Sequence, residues 1–284
     1  MATFYNKATL SYNGTSTDSN IVTGEILAAL TGSKQALDQS YEAGETITYA
    51  ISLVNSATST LSGLTITDNL GAYPFGTQTL VPLTLVPNSL YFYINGVLQP
   101  TPTIVSTSPL TLTGISIPAG GNAILLYNAT VNEYAPLDLE STITNTGSAN
   151  GNTLVAPVSF TETIGKNTAA DLSISKSLCP ETITENGEIT YTFLIQNTGN
   201  LSAGLAENVI ISDVFQPVLE NLTVTYNGTI WSEPANYTYD ETTGSFQTVA
   251  GSITVPPATF TQNPLTGEWT TTPGVALIRV TGTI

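Results

Sequence analysis

An all-β fold is what the sequence predicts, on three observations. Short runs rich in Thr, Val, Ile and Tyr alternate polar and apolar residues, as in Thr46-Ile47-Thr48-Tyr49-Ala50-Ile51-Ser52-Leu53 and Leu64-Thr65-Ile66-Thr67. Gly, Pro, Asn and Ser interrupt these runs at roughly ten-residue spacing. No long segment carries a capped helical apolar period. Alternation with period two buries one face of each strand and wets the other, which suits two packed sheets.

The elements come in duplicate. Ser33-Lys34 recurs as Ser175-Lys176, and Gly44-Glu45-Thr46-Ile47-Thr48-Tyr49 as Gly187-Glu188-Ile189-Thr190-Tyr191. Asn55 maps to Asn197, and Leu64-Thr65-Ile66-Thr67-Asp68 to Val209-Ile210-Ile211-Ser212-Asp213. Asn95-Gly96 maps to Asn227-Gly228, a two-residue hairpin signal in each copy. Gly121-Asn122-Ala123-Ile124-Leu125 maps to Gly274-Val275-Ala276-Leu277-Ile278. The order holds while loop insertions shift the offset, so two homologous sandwiches are expected, at 32–165 and 166–284, joined near Gly165-Lys166.

The copies end differently. After Val131 the first continues through Ile143-Thr144-Asn145-Thr146 to Val158-Ser159-Phe160, a final pair of strands, whereas the second stops at Ile284. A segment of the missing kind opens the chain. Phe4-Tyr5-Asn6-Lys7-Ala8-Thr9-Leu10, a turn near Asn13-Gly14, and Ile21-Val22-Thr23-Gly24-Glu25-Ile26 parallel Ile143–Ile164. Residues 1–31 therefore read as a strand and hairpin arm, detached from the domain it resembles.

A sheet without its last strand exposes unpaired N–H and C=O groups and invites pairing with another chain. The expectation is that the arm of one subunit completes the C-terminal domain of the next. Phe4, Asn6, Leu10, Ile21, Ile26 and Ile284 are the candidate interface residues. Such an interface is heterologous and propagates into a filament unless its rotation closes a ring. The alternative is a monomeric adhesin or ligand-binding module with the arm folded back in cis.

Composition excludes several classes of function. The 284 residues contain no His and one Cys, which leaves no Ser-His-Asp or Cys-His nucleophile, imidazole metal site or internal disulfide. Five Lys plus Arg against 21 Asp plus Glu give a net charge of −16, a poor match for nucleic acid or an anionic membrane. No apolar stretch has the length of a membrane span. No cofactor is expected and no Sec-type signal is visible at the first residues. Self-association is the partnership the pattern implies.

The pieces Ile174-Ser175-Lys176, Asn186-Gly187-Glu188-Ile189-Thr190-Tyr191, Ile195-Gln196-Asn197-Thr198-Gly199, Ile211-Ser212-Asp213 and Ile143-Thr144-Asn145-Thr146 resemble the bacterial conserved repeat domain family of surface proteins. The resemblance covers both copies. It implies an Ig-like sandwich fold and an extracellular scaffold role. Two-repeat chains without a signal peptide are similar to the clostridial members, including ribbon-like spore-appendage subunits, which implies a spore-surface placement after release by mother-cell lysis.

One chemistry survives the composition. Lys34 and Lys176 are equivalent first-strand lysines, Asp68 and Asp213 are equivalent carboxylates, and Asn145 corresponds to Asn6 of the arm. Lys, carboxylate and Asn are the components of a self-formed isopeptide bond, as in Gram-positive pilin and adhesin domains. The candidate sets are Lys34, Asp68 and Asn145 in the first domain, and Lys176 and Asp213 with Asn6 in trans in the second. Burial would leave amine and acid neutral, and proximity would do the rest. The alternative is an exposed or ordinary Lys–Asp ion pair with Asn in a turn.

The remaining features read as structure. Cys179 is expected to be a small buried hydrophobe, and Trp231, Trp269 and the tyrosines to be packing residues. Asp138-Leu139-Glu140 and Asp240-Glu241 lack calcium-loop spacing, and Tyr239–Gly244 reads as a hairpin turn. A carbohydrate-active enzyme with paired carboxylates is a third and weaker reading, without a cleft signature. The chain is expected not to be an enzyme, self-reaction apart.

Overall fold

The computed structural model describes residues 2–26, 29–152 and 154–284, and no helix occurs among them. Two compact units divide the chain: Met1–Ala135 with Thr142–Gly165, and Pro136–Ser141 with Lys166–Ile284. The arm holds β1 (Ala2–Asn6), β2 (Thr9–Tyr12), β3 (Thr15–Asp18) and β4 (Val22–Ile26). The first unit continues with β5 (Leu30–Ala36), β6 (Ser40–Tyr41), β7 (Thr46–Asn55), β8 (Leu61–Asp68), β9 (Tyr73–Phe75), β10 (Gln78–Leu80), β11 (Leu83–Leu85), β12 (Tyr91–Ile94), β13 (Val97–Gln99), β14 (Thr103–Thr107), β15 (Leu110–Ile117), β16 (Asn122–Val131), β17 (Thr142–Asn150) and β18 (Val158–Lys166). The second holds β19 (Leu172–Cys179), β20 (Glu188–Asn197), β21 (Ser212–Val214), β22 (Glu220–Tyr226), β23 (Thr229–Ile230), β24 (Tyr237–Asp240), β25 (Ser245–Thr248), β26 (Thr259–Gln262), β27 (Trp269–Thr272) and β28 (Gly274–Thr283). The first sandwich strand thus starts at Leu30, slightly ahead of the boundary expected at 32.

The first unit packs two six-stranded sheets on one core. One runs β13-β12-β16-β7-β5, with β11 also on β16, and the other β14-β15-β8-β17-β18-β6. Ile47, Tyr49, Ile51 and Leu53 of β7 meet Leu64 and Ile66 of β8 in that core, as their odd or even alternation requires. The two strands that close the second sheet are β17 and β18, paired from Thr142↔Gly165 to Ala149↔Val158. On its other edge β17 pairs β8, with Gly147 opposite Asp68.

Phe160 of β18 locks this closure. A methyl on Gly32 of β5 would stand 2.9 Å from its ring, and one on Gly147 of β17 would stand 2.4 Å away. The ring therefore fills space left by two missing side chains, and joins the hairpin to the facing sheet.

In the second unit a five-stranded sheet, β19-β20-β28-β22-β23, faces a three-stranded one, β21-β25-β24. The two share a core that includes Tyr191, Phe193, Phe215 and Phe246. The register repeats the first unit: Leu30↔Asn55 and Lys34↔Ile51 become Leu172↔Asn197 and Lys176↔Phe193. Asn55 and Asn197 are both fully buried, and each Nδ2 donates to loop carbonyls: Ser59, Ile117 and Pro118 for Asn55, Leu201 and Pro256 for Asn197. Burial without partners would be costly, so the repeated asparagine is a loop anchor. Nothing among the described residues pairs with β21 on the edge where β8 pairs with β17.

The Asn-Gly turns fall where expected. Asn13-Gly14, Asn95-Gly96 and Asn227-Gly228 all have positive φ at both residues, the type I′ geometry that matches strand twist. Cys179 corrects an expectation: it is exposed, not buried. It ends β19 on the parity opposite to Leu172, Ile174, Lys176 and Leu178, so it points away from the core side. Trp231 is buried and stacks on Tyr226.

Replacing Phe160 with Ala empties the space between Gly32 and Gly147. The first unit should lose roughly 3–5 kcal/mol, read from urea unfolding followed by tyrosine fluorescence.

Candidate functional site

Four inward positions of the first unit converge. Lys34 lies on β5, Asp68 at the end of β8, Tyr127 on β16 and Asn145 on β17, and all four are buried. Alternation dictates this: Lys34 shares its face with Leu30 and Ala36, and Asn145 shares its face with Ile143 and Ala149. A charge in such positions is tolerated only if it is paired and hydrogen-bonded.

The partners are present. Lys34 Nζ donates to Asp68 Oδ2 at 2.6 Å, with both side chains fully inaccessible to solvent. The Tyr127 hydroxyl donates to the same oxygen at 2.7 Å, and Asn145 Nδ2 donates to Tyr127 Oη at 3.0 Å. The remaining oxygen, Asp68 Oδ1, accepts the Leu70 backbone N–H at 3.0 Å. Leu70 reaches it by adopting a φ of 53°. The Lys34 ammonium also lies over the Tyr49 ring, 5.0 Å from its centroid.

Two polar atoms in the cluster have no hydrogen bond, the Tyr49 hydroxyl and Asn145 Oδ1. The network thus binds the asparagine amide through its nitrogen and leaves its carbonyl oxygen open.

Burial dominates the electrostatics. It pushes the Lys34 amine down to about 8, against the opposing pull of Asp68 and, more weakly, Glu162. Burial pushes the Tyr127 hydroxyl well up, and Asp68 adds to the effect. Tyr49 is raised by burial too, with the neighbouring Asn145 opposing it. The site therefore holds an amine that burial makes easier to deprotonate, a carboxyl group and an amide, linked through a phenol that stays protonated.

The second unit holds the same pair in the open. Lys176 donates to Asp213, but their side chains are 39% and 20% exposed. Lys176 lies over Tyr191, Phe215 and Phe193, with ring centroids 4.5, 5.3 and 5.4 Å away. The position of Tyr127 is taken by Val280, which faces Tyr191 across the ladder as Tyr127 faces Tyr49. Among the described residues no counterpart of β17 covers the pair, and the inward residues Leu172, Ile174 and Leu178 are 37%, 57% and 42% exposed.

The structure thus brings Lys34, Asp68 and Asn145 together, and Lys176 with Asp213. Asn6 is exposed on β1, its backbone opposite Val22. Phe4, Leu10 and Ile21 are exposed, while the side chain of Ile26 lies outside the described residues. Ile284 packs against the second core and exchanges backbone hydrogen bonds with Asn186 and Gly187. Sequence reasoning missed Tyr127, Tyr49 and Glu162. Their signal was parity: Tyr49 is inward on β7 beside β5, Glu162 is inward on β18 beside β17, and Tyr127 is inward on β16, one strand beyond β7.

Arm strands pair only with each other among the described residues: β1 with β4 from Ala2↔Ile26 to Asn6↔Val22, and β2 with β3 from Thr9↔Asp18 to Tyr12↔Thr15. Lys7 and Asp18 pair across the hairpin at 2.5 Å in full view of solvent. No group of residues that could hold a metal ion occurs among the described residues. No described helix is long and apolar enough to cross a membrane.

No family model matches the chain, and no curated protein matches it. Solved structures similar to it include the pilus backbone from Streptococcus pneumoniae, at 11% identity and TM-score 0.36, covering 86% of this chain and 55% of that one. The major pilin subunit of Bacillus cereus aligns at 10% identity and TM-score 0.35, covering 96% and 73%. A family 123 glycoside hydrolase from Clostridium perfringens aligns at 12% identity and TM-score 0.31, covering 49% and 27%. At these identities and scores the likeness assigns neither family nor role.

Two outcomes follow from the buried pair. Asp68→Ala leaves Lys34 uncompensated and should destabilise the first unit by about 3–5 kcal/mol; urea midpoints measure it. Burial holds the Lys34 amine of the folded first unit down at about 8 against an ordinary 10.5, and Asn145→Ala keeps that amine free of any bond. The unfolded chain then binds more protons between those values, so stability should rise with pH from 8 toward the tyrosine range near 10. A flat midpoint across that window would contradict the burial of the amine.

Proposed function

We propose that this chain is the structural subunit of an extracellular filament, polymerising head-to-tail by donating its N-terminal arm to the C-terminal domain of the next subunit. One observation carries the reading. The inward face that β17 and β18 cover in the first unit is uncovered among the described residues of the second, although the ladders β5–β7–β16 and β19–β20–β28 share register.

The arm has the face that such a site requires. Inward residues of β17 are Ile143, Asn145, Gly147 and Ala149. With Asn6 at the place of Asn145, the matching parity of the arm is Phe4, Asn6, Ala8 and Leu10. Gly147 pairs with Asp68, so Ala8 would pair with Asp213 on the free edge of β21. Ladder bonds would supply affinity, and alternating apolar side chains would fix register, because a one-residue slip turns Asn6 and its neighbours outward.

Covalent reinforcement belongs to the same reading. In the first domain the Lys34 amine displaces the side-chain NH2 of Asn145: the Nζ–Cγ bond forms, Cγ–Nδ2 breaks, and ammonia leaves. In the second, Lys176 and Asp213 receive Asn6 in trans, linking neighbouring subunits. Each bond removes about 17 Da, the ammonia displaced in this acyl transfer. Beyond this self-reaction the chain is not an enzyme. The resemblance to the conserved repeat domain family points to the cell or spore surface as its place.

Deleting residues 2–26 should convert filaments into soluble monomers by negative-stain microscopy, and adding the separate arm peptide should cap the second domain. Filaments that persist without the arm, or a full-length chain that stays monomeric at high concentration, would overturn the donation mechanism. Intact mass decides the bonds independently: Asn145→Ala should weigh one ammonia loss more than the change of side chain accounts for.

A further inference from the structure

We propose that the Tyr127 hydroxyl is the proton relay of bond formation in the first domain, carrying the proton from Asp68 to the departing nitrogen of Asn145. This rests on the isopeptide reading above and adds a residue with a stated role to it.

The geometry is a chain of three contacts. Lys34 Nζ meets Asp68 Oδ2 at 2.6 Å, the Tyr127 hydroxyl meets the same oxygen at 2.7 Å, and Asn145 Nδ2 meets Tyr127 Oη at 3.0 Å. Asp68 is thus joined to the leaving nitrogen through the phenol. In a site sealed from water, NH2 departs only after gaining a proton. Burial keeps Tyr127 protonated, so it always has a proton to hand on.

The steps balance. Lys34 passes one proton to Asp68, and the free amine attacks Cγ of Asn145. Asp68 gives its proton to Tyr127 Oη as Tyr127 gives its own to Nδ2. The Cγ–Nδ2 bond breaks and ammonia leaves, while a second Nζ proton passes to Asp68. The products are the amide, ammonia, an unchanged phenol and a protonated Asp68. Asn145 Oδ1 and the Tyr49 hydroxyl are buried in this cluster without a hydrogen bond.

Tyr127→Phe removes the hydroxyl and keeps the ring. Freshly translated full-length chains are followed by intact mass over time, with thermal melting to show that the variant folds. Wild type should lose one ammonia from the first domain, and the variant should do so about 10²-fold more slowly, the usual scale of acid–base assistance. A variant closing at the wild-type rate overturns the relay and leaves the bond intact. A wild type that never loses ammonia overturns the bond itself. If the variant does not fold, rates of the wild type in mixtures of light and heavy water decide. Two protons moving together give a bowed dependence, and a straight line overturns the relay.

Discussion

A β-sandwich is sealed only when the inward face of every strand has something against it, and here that condition is met once and left unmet once. In the first unit the hairpin β17–β18 satisfies the free edge of β8 and covers β5, so Lys34 lies in a dry interior. Among the described residues of the second unit nothing takes their place, and the equivalent lysine is 39% exposed. The amine of Lys34 is displaced toward neutrality because water is excluded, and water is excluded because Phe160 fits over two glycines.

The same constraint bears on the arm and on the open edge of the second unit. A hairpin with Phe4, Leu10 and Tyr12 exposed and no third strand is marginal in water. An open edge with Leu172 and Ile174 uncovered is equally unfavourable. On the proposed reading each supplies what the other lacks, as the β8–β17 pairing of the first unit illustrates. Closing them within one chain would give a monomer, whereas closing them between chains would propagate unless the rotation closes a ring.

Much of this was legible in the sequence, because period two and turn chemistry are local. The Asn-Gly turns, the duplicated lysine and aspartate, and the β17–β18 motif of the first unit all appear as short strings. What alternation does not encode is which of two faces is covered. Cys179 was expected inside because cysteine usually is, yet its position on β19 turns it outward. Tyr127 escaped notice for the converse reason. It reads as another strand tyrosine until the fold sets its hydroxyl between a carboxylate and an amide, residues 59 and 18 positions away in the chain.

Position 127 also separates the two copies chemically. Its counterpart is Val280, so the scaffold of the second unit lacks the hydroxyl that joins carboxylate to amide in the first. A bond closed within one domain can form as soon as that domain folds, whereas a bond between subunits has to wait for docking and correct register. On the proposed reading a site without the relay would close slowly, which would leave time for mismatched arms held only by ladder bonds to dissociate. Fast closure in cis and slow closure in trans would let the filament sort its contacts before making them permanent. On that reading Val280 acts as a kinetic device, holding back the covalent step until the contacts are in register.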